Sequence, residues 1–152
     1  LPELLVDAPD RPAHADADKR GDVRGDAYGS PDGLWFDPRG LLWIQTDIST
    51  STLNKGDYAN LGNNMMLAAD VATGETRRFL VGPTGCEVTG VVMTPDLTTM
   101  FVDIQHPGES PSERADPDRP KAISSWPDGP SGGRPRSATI VVRRRDGGIV
   151  GS

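Results

Sequence analysis

Apolar residues in this chain fall into short runs of strand length: Gly33-Leu34-Trp35-Phe36, Leu41 to Thr46, Met65 to Ala69, Thr76 to Val81, Val88 to Thr94 and Met100 to Gln105. None is long enough to make a stable helix, and each is bounded by turn residues. The punctuation is Asp37-Pro38-Arg39-Gly40, Thr73-Gly74-Glu75 and Thr94-Pro95-Asp96-Leu97, which place Pro early or Gly late as tight turns require. Neighbouring runs are therefore expected to pair as antiparallel hairpins. Residues 1–29 carry Asp, Ala, Arg and Gly with almost no apolar periodicity, and read as a flexible acidic lead-in. Residues 108–136 form a loop too long for a simple connector. A last pair of runs, Ala138 to Arg143 and Ile149-Val150, is expected to close around Asp146-Gly147-Gly148.

Laying the chain over itself shows a repeat, because Gly33-Leu34-Trp35-Phe36-Asp37-Pro38 recurs as Gly90-Val91-Val92-Met93-Thr94-Pro95, 57 residues on. In each unit a Gly opens an apolar strand, a Pro turn follows, a stronger apolar strand comes next, and a second hairpin completes four strands. Four-stranded units at this period are the pattern of propeller blades. The expectation is an all-β chain of two four-stranded antiparallel blade-like sheets, one over about 30–82 and one over about 83–152, packed face to face. Leu34, Phe36, Trp43, Ile44, Leu67, Phe79, Val91, Met93, Phe101 and Ile104 are expected to supply most of the shared core.

Composition agrees: 18 Gly and 14 Pro in 152 residues are too many for a helical bundle. A net charge of −6 disfavours a nucleic-acid partner, and Arg143-Arg144-Arg145 reads as alternating exposure along a strand entering a turn. No apolar stretch approaches the length of a membrane span, and the opening Leu1-Pro2-Glu3 carries no signal-peptide pattern, so the chain reads as an excised fragment of a longer protein. Cys86, the single cysteine, rules out an internal disulfide; it fits a buried apolar residue, with a soft metal ligand or nucleophile as the alternative.

Candidate chemistry sits at strand ends. Asp32 immediately precedes the first strand of its unit, where spacing alone favours a turn Asp that bonds its own backbone, and where a carboxylate also suits a hard cation such as calcium. By the same offset of 57 residues Glu87 matches Ser30 and Thr89 matches Asp32, so both units present oxygen atoms at one level. Asp47 and His106 close the second strands of the two units, where His106 is either a ligand or proton carrier or a hydrogen-bonded structural residue. No nucleophile triad, phosphate-binding glycine loop or zinc spacing is present. The residues alone describe part of an acidic β-propeller.

The stretch Ser30-Pro31-Asp32-Gly33-Leu34-Trp35-Phe36-Asp37-Pro38-Arg39-Gly40, followed by Leu42-Trp43-Ile44-Gln45-Thr46-Asp47, resembles the late propeller motif of PhoX-type alkaline phosphatases. Gly82-Pro83-Thr84-Gly85-Cys86-Glu87-Val88-Thr89-Gly90, with Phe101-Val102-Asp103-Ile104-Gln105-His106-Pro107-Gly108-Glu109 after it, does so too. The resemblance implies a periplasmic or secreted enzyme, usually exported by the twin-arginine route, that hydrolyses phosphate esters at a cluster of calcium and iron. By that analogy Asp32 is a calcium ligand, with Glu87 a weaker carry-over. The family's other site motifs, a Cys-Glu-Glu run, a His-Glu pair and an Arg-Pro-Glu-Trp run, have no match here. The expectation is a C-terminal propeller fragment that is inactive and binds no metal tightly by itself, its bare blade faces favouring a homo-oligomer. A non-catalytic scaffold or binding domain of the same family stays open as the other reading.

Overall fold

The computed structural model describes residues 5–6, 20–21, 24–109 and 116–152. Its strands are β1 (Leu5–Val6), β2 (Arg20–Gly21), β3 (Arg24–Gly25), β4 (Pro31–Phe36), β5 (Leu41–Thr46), β6 (Met65–Asp70), β7 (Glu75–Val81), β8 (Glu87–Met93), β9 (Met100–Gln105) and β10 (Ala138–Val142). A 3₁₀ turn at Gly56–Tyr58 is the one helical element among the described residues. The all-β expectation is borne out.

The strands form a five-stranded sheet in the order β3-β7-β6-β5-β4, a three-stranded sheet in the order β10-β9-β8, and a short parallel pair of β1 with β2. Every ladder from β4 to β10 is antiparallel. The expectation of two four-stranded sheets is corrected at both ends. The first sheet gains β3, a two-residue strand lying parallel to β7 through Arg24↔Glu75 and Gly25↔Thr76. Gly25 is required there, since a Cβ would meet the Thr76 carbonyl and the backbone holds φ at +130°. The rest of the expected lead-in lies mostly outside the described residues. The second sheet loses a strand, because Ile149-Val150 crosses away from β10: the Val150 N–H donates to Leu97 O at 3.0 Å and its carbonyl accepts Arg39 Nη2 at 2.9 Å.

β5 and β6 run through the middle of the first sheet, so their apolar residues are buried on both faces: Trp43, Ile44, Met65, Met66 and Leu67 are all within 3% of fully buried. Each such side chain contributes about 1.5–3 kcal/mol relative to exposure. One face packs Ile44, Met65 and Leu67 with Tyr28, Ile48 and Leu61 from loops. The other packs Trp43 and Met66 against Val88, Met100, Val102 and Ile104 of the second sheet, with Phe79 meeting Trp43 edge-on at 4.9 Å between centroids.

Trp43, Ile44, Leu67, Met93 and Ile104 are core as expected, and Phe79, Val91 and Phe101 are half-buried. Leu34 and Phe36 are not: at 55% and 56% exposed they lie on the outward side of the edge strand β4. They join neither packed cluster, so it is the absence of cover over that face, and not hydrophobicity, that decides their exposure.

Under the seam between the sheets, the buried Asp37 carboxylate accepts from Arg39 Nη2 at 2.6 Å, Trp43 Nε1 at 3.2 Å and the backbone N–H groups of Arg39 and Leu41. Arg39 carries this cluster on to Val150, tying the last residues to the first sheet.

A rim of carboxylates at the strand ends

The two sheets carry matching irregularities where their first strands begin. Register shifts between Pro31 and Gly33 in β4, and between Thr89 and Val91 in β8, which leaves Asp32 as the unpaired residue of the first bulge and Gly90 as that of the second. Such bulges re-aim side chains at the ends of strands. Gly33 lacks a Cβ because the buried Gln45 carboxamide lies across that space.

Asp47 follows β5 directly, and its N–H donates to Ser30 O at 3.0 Å, which holds it beside the start of β4 and Asp32. Burial raises its carboxyl above the ordinary value; the charges of Asp32 and Glu109 add to that, and His106 opposes it. His106 of the second unit thus lies near enough to Asp47 of the first to act on its carboxyl.

On the second sheet, Glu87 opens β8 opposite Gln105, whose Nε2 donates to Glu87 Oε2 at 3.0 Å. Glu87 is 9% exposed. His106 follows β9 with φ at +35°, in the left-handed region that a non-glycine residue occupies only at a cost of about 1–3 kcal/mol. Its N–H is held by Ser137 Oγ at 3.0 Å, and its ring stands between two carboxylates, Nε2 at 3.5 Å from Glu87 Oε2 and Nδ1 at 3.8 Å from Glu109 Oε2. The second distance is too long for a hydrogen bond, and Nδ1 is buried without a hydrogen-bond partner among the described residues. Thr50 Oγ1, from the first sheet's loop, donates to Glu109 Oε2 at 3.3 Å.

Of the four residues singled out from the sequence, Asp47 thus lies beside the start of β4, next to Asp32, on one sheet, and His106 stands against Glu87 on the other. Sequence reasoning passed over Glu109 as a member of the group and Asn64 as its support. Glu109 was legible in the His106-Pro107-Gly108-Glu109 turn, where Glu109 N donates to His106 O at 3.1 Å. Asn64 carried no local signal, since its partners lie 16 to 22 residues away.

Cys86 is a free, buried thiol, pushed up to about 12 by burial and further by the charges of Glu87 and Asp47. That matches a small buried residue and not a reactive thiolate.

The oxygen donors of this rim have the chemistry that calcium prefers, and the orphaned imidazole nitrogen is a further open donor. Among the described residues, however, no three such groups gather closely enough to hold an ion. No described helix is long and apolar enough to cross a membrane.

No curated protein matches the chain. A solved structure of PhoX from Pseudomonas fluorescens, in complex with vanadate, a transition state analogue, matches it with a TM-score of 0.70 and 52% identity. The match covers 83% of this chain and 20% of that one, so the chain spans about a fifth of the relative's length. The family model for alkaline phosphatase PhoX matches residues 3–108. With more than half its length under that model and a relative at this identity, the chain belongs to the PhoX alkaline phosphatase family.

Proposed function

We propose that this chain is the late propeller segment of a periplasmic or secreted phosphatase that hydrolyses phosphate esters with calcium and iron, and that it supplies one edge of the metal site. In this reading residues 30–82 and 83–152 are successive blades. Asp32 is a calcium ligand, Glu87 belongs to the same metal edge by its motif, and Asp47 and His106 line that edge. Supporting the proposal is the meeting of the two strand-end rims, where Thr50 Oγ1 reaches Glu109 and Asn64 Nδ2 bridges Ile48 O to Cys86 O, within a chain of this family.

When bound, the ions supply positive charge that offsets what develops on the phosphoryl group. The residues here do the placing. The strand ends keep Asp47 and Glu87 at one level, and His106, seated between Glu87 and Glu109, separates two negative charges that otherwise repel. With no described trio of ligands, the chain alone is inactive and holds metal weakly.

Grafting this chain in place of the matching fifth of the Pseudomonas fluorescens protein tests the reading. The graft is expected to hydrolyse p-nitrophenyl phosphate with calcium, and to lose that turnover on Asp32→Ala. A folded graft indifferent to Asp32→Ala and Glu87→Ala would remove both residues from the site. A folded graft that hydrolyses nothing would favour the non-catalytic scaffold.

A further inference from the structure

Asn64, which immediately precedes β6, is 1% exposed and uses every hydrogen-bonding position of its carboxamide. Oδ1 accepts from Thr46 Oγ1 at 3.0 Å and from the Ile48 N–H at 2.6 Å. Nδ2 donates to Ile48 O at 3.0 Å and to Cys86 O at 2.9 Å. The orientation of the amide is fixed by its partners, because a backbone N–H can only donate and the two carbonyls can only accept. Thr46 is itself held from behind, its Oγ1 accepting the Met65 N–H at 2.9 Å. The Asn64 carbonyl accepts the Gly82 N–H at 2.8 Å, so its main chain also grips the segment that leads into β8.

The residues gripped are the two neighbours of Asp47 and the neighbour of Glu87. An apolar residue of similar size could fill the space, but it could not join these backbone segments to one another. We propose that Asn64 is a positioning residue that locks the Asp47 rim of the first sheet to the Glu87 rim of the second, setting the separation of the two carboxylates. The inference rests on the reading of Asp47 and Glu87 as the edge of a metal site, and extends it to what holds that edge in register. Groups that orient ligands from behind in this way commonly matter nearly as much as the ligands.

The test is amide hydrogen exchange by NMR on the full chain, with Asn64→Ala and Asn64→Asp compared to wild type, followed by a calcium titration of each. Asn64→Asp keeps the volume and the acceptor oxygen but turns a carboxylate oxygen toward the Ile48 and Cys86 carbonyls. Exchange is expected to rise about tenfold or more at Asp47 and Ile48 on one sheet and at Cys86 on the other, with Val102 and Ile140 unchanged. Acceleration confined to Asp47 and Ile48 would overturn the proposal. Uniform acceleration throughout the chain in both variants would do so too, assigning Asn64 to stability alone. In wild type, the amides of Asp47 and Glu87 are expected to shift on one curve at millimolar calcium, with the midpoint about tenfold higher in Asn64→Ala. A wild-type chain that ignores calcium would show that this edge holds no ion by itself, and the exchange comparison would then judge Asn64 alone.

Discussion

Trp43 donates its indole N–H to the carboxylate of Asp37 at 3.2 Å, joining the largest buried side chain of the first sheet to a charge that has no exposed surface. Burial alone would raise the Asp37 carboxyl, but hydrogen bonds from Arg39, Trp43 and the backbone N–H groups of Arg39 and Leu41 outweigh it and hold the group below its ordinary value. A lowered carboxyl contributes stability that is complete above the unfolded value, near pH 4, and drains as the pH falls through the folded one. Asp37→Ala strands the indole and guanidinium donors, at a cost of about 2–3 kcal/mol at neutral pH. Denaturant melts of both proteins should show that gap narrowing under acid, and a gap constant down to pH 2 would place the stabilisation elsewhere.

Cys86 gives the opposite dependence. Its raised thiol stays neutral in the fold while the unfolded thiol ionises near pH 8.5, so the fold loses stability as the pH rises from that point toward about 12. At pH 8 a thiol reagent such as DTNB should label the folded chain only as fast as it opens, and labelling should become fast in denaturant. Fast stoichiometric labelling of the native chain would mean that Cys86 is neither buried nor suppressed.

Leu34 and Phe36 stand exposed on the outer side of β4, and Val92 and Val141 on the outer side of the second sheet. Apolar sheet faces of this kind favour association, as do the unpaired backbone groups of an edge strand. The chain is expected to self-associate through the β4 face, so that light scattering over a concentration series gives a mass rising toward a dimer, and Leu34→Lys with Phe36→Lys restores a monomer. A monomeric mass for the wild type at high micromolar protein would contradict this.

The strands were legible in the sequence wherever pairing is between neighbours, because the Asp37–Gly40 and Thr94–Leu97 turns leave little freedom in how β4 meets β5 or β8 meets β9. What escaped was set by distant contacts. Arg24–Gly25 is too short to show a period and becomes a strand only because β7 offers it an edge. Ile149-Val150 looks like a strand but is captured by Leu97 and Arg39, far back in the chain. Leu34 and Phe36 have the hydrophobicity of core residues, and only the packing of the sheet faces reveals that neither joins a cluster. The site followed the same division: Asp32, Asp47, Glu87 and His106 are marked by position at strand ends, whereas Asn64 is defined wholly by partners remote in sequence.

The central proposal is that this chain supplies one edge of a metallophosphatase site and is inactive by itself. Calcium-stimulated hydrolysis of p-nitrophenyl phosphate by the purified chain tests it most directly. The account predicts no turnover above the metal-only blank at any calcium or iron concentration, since the ester, the water and the developing charge require ions held together by more ligands than the described residues bring together. Robust turnover by the chain alone, abolished by a chelator and by Asp32→Ala, would contradict it and place a complete active site within these residues.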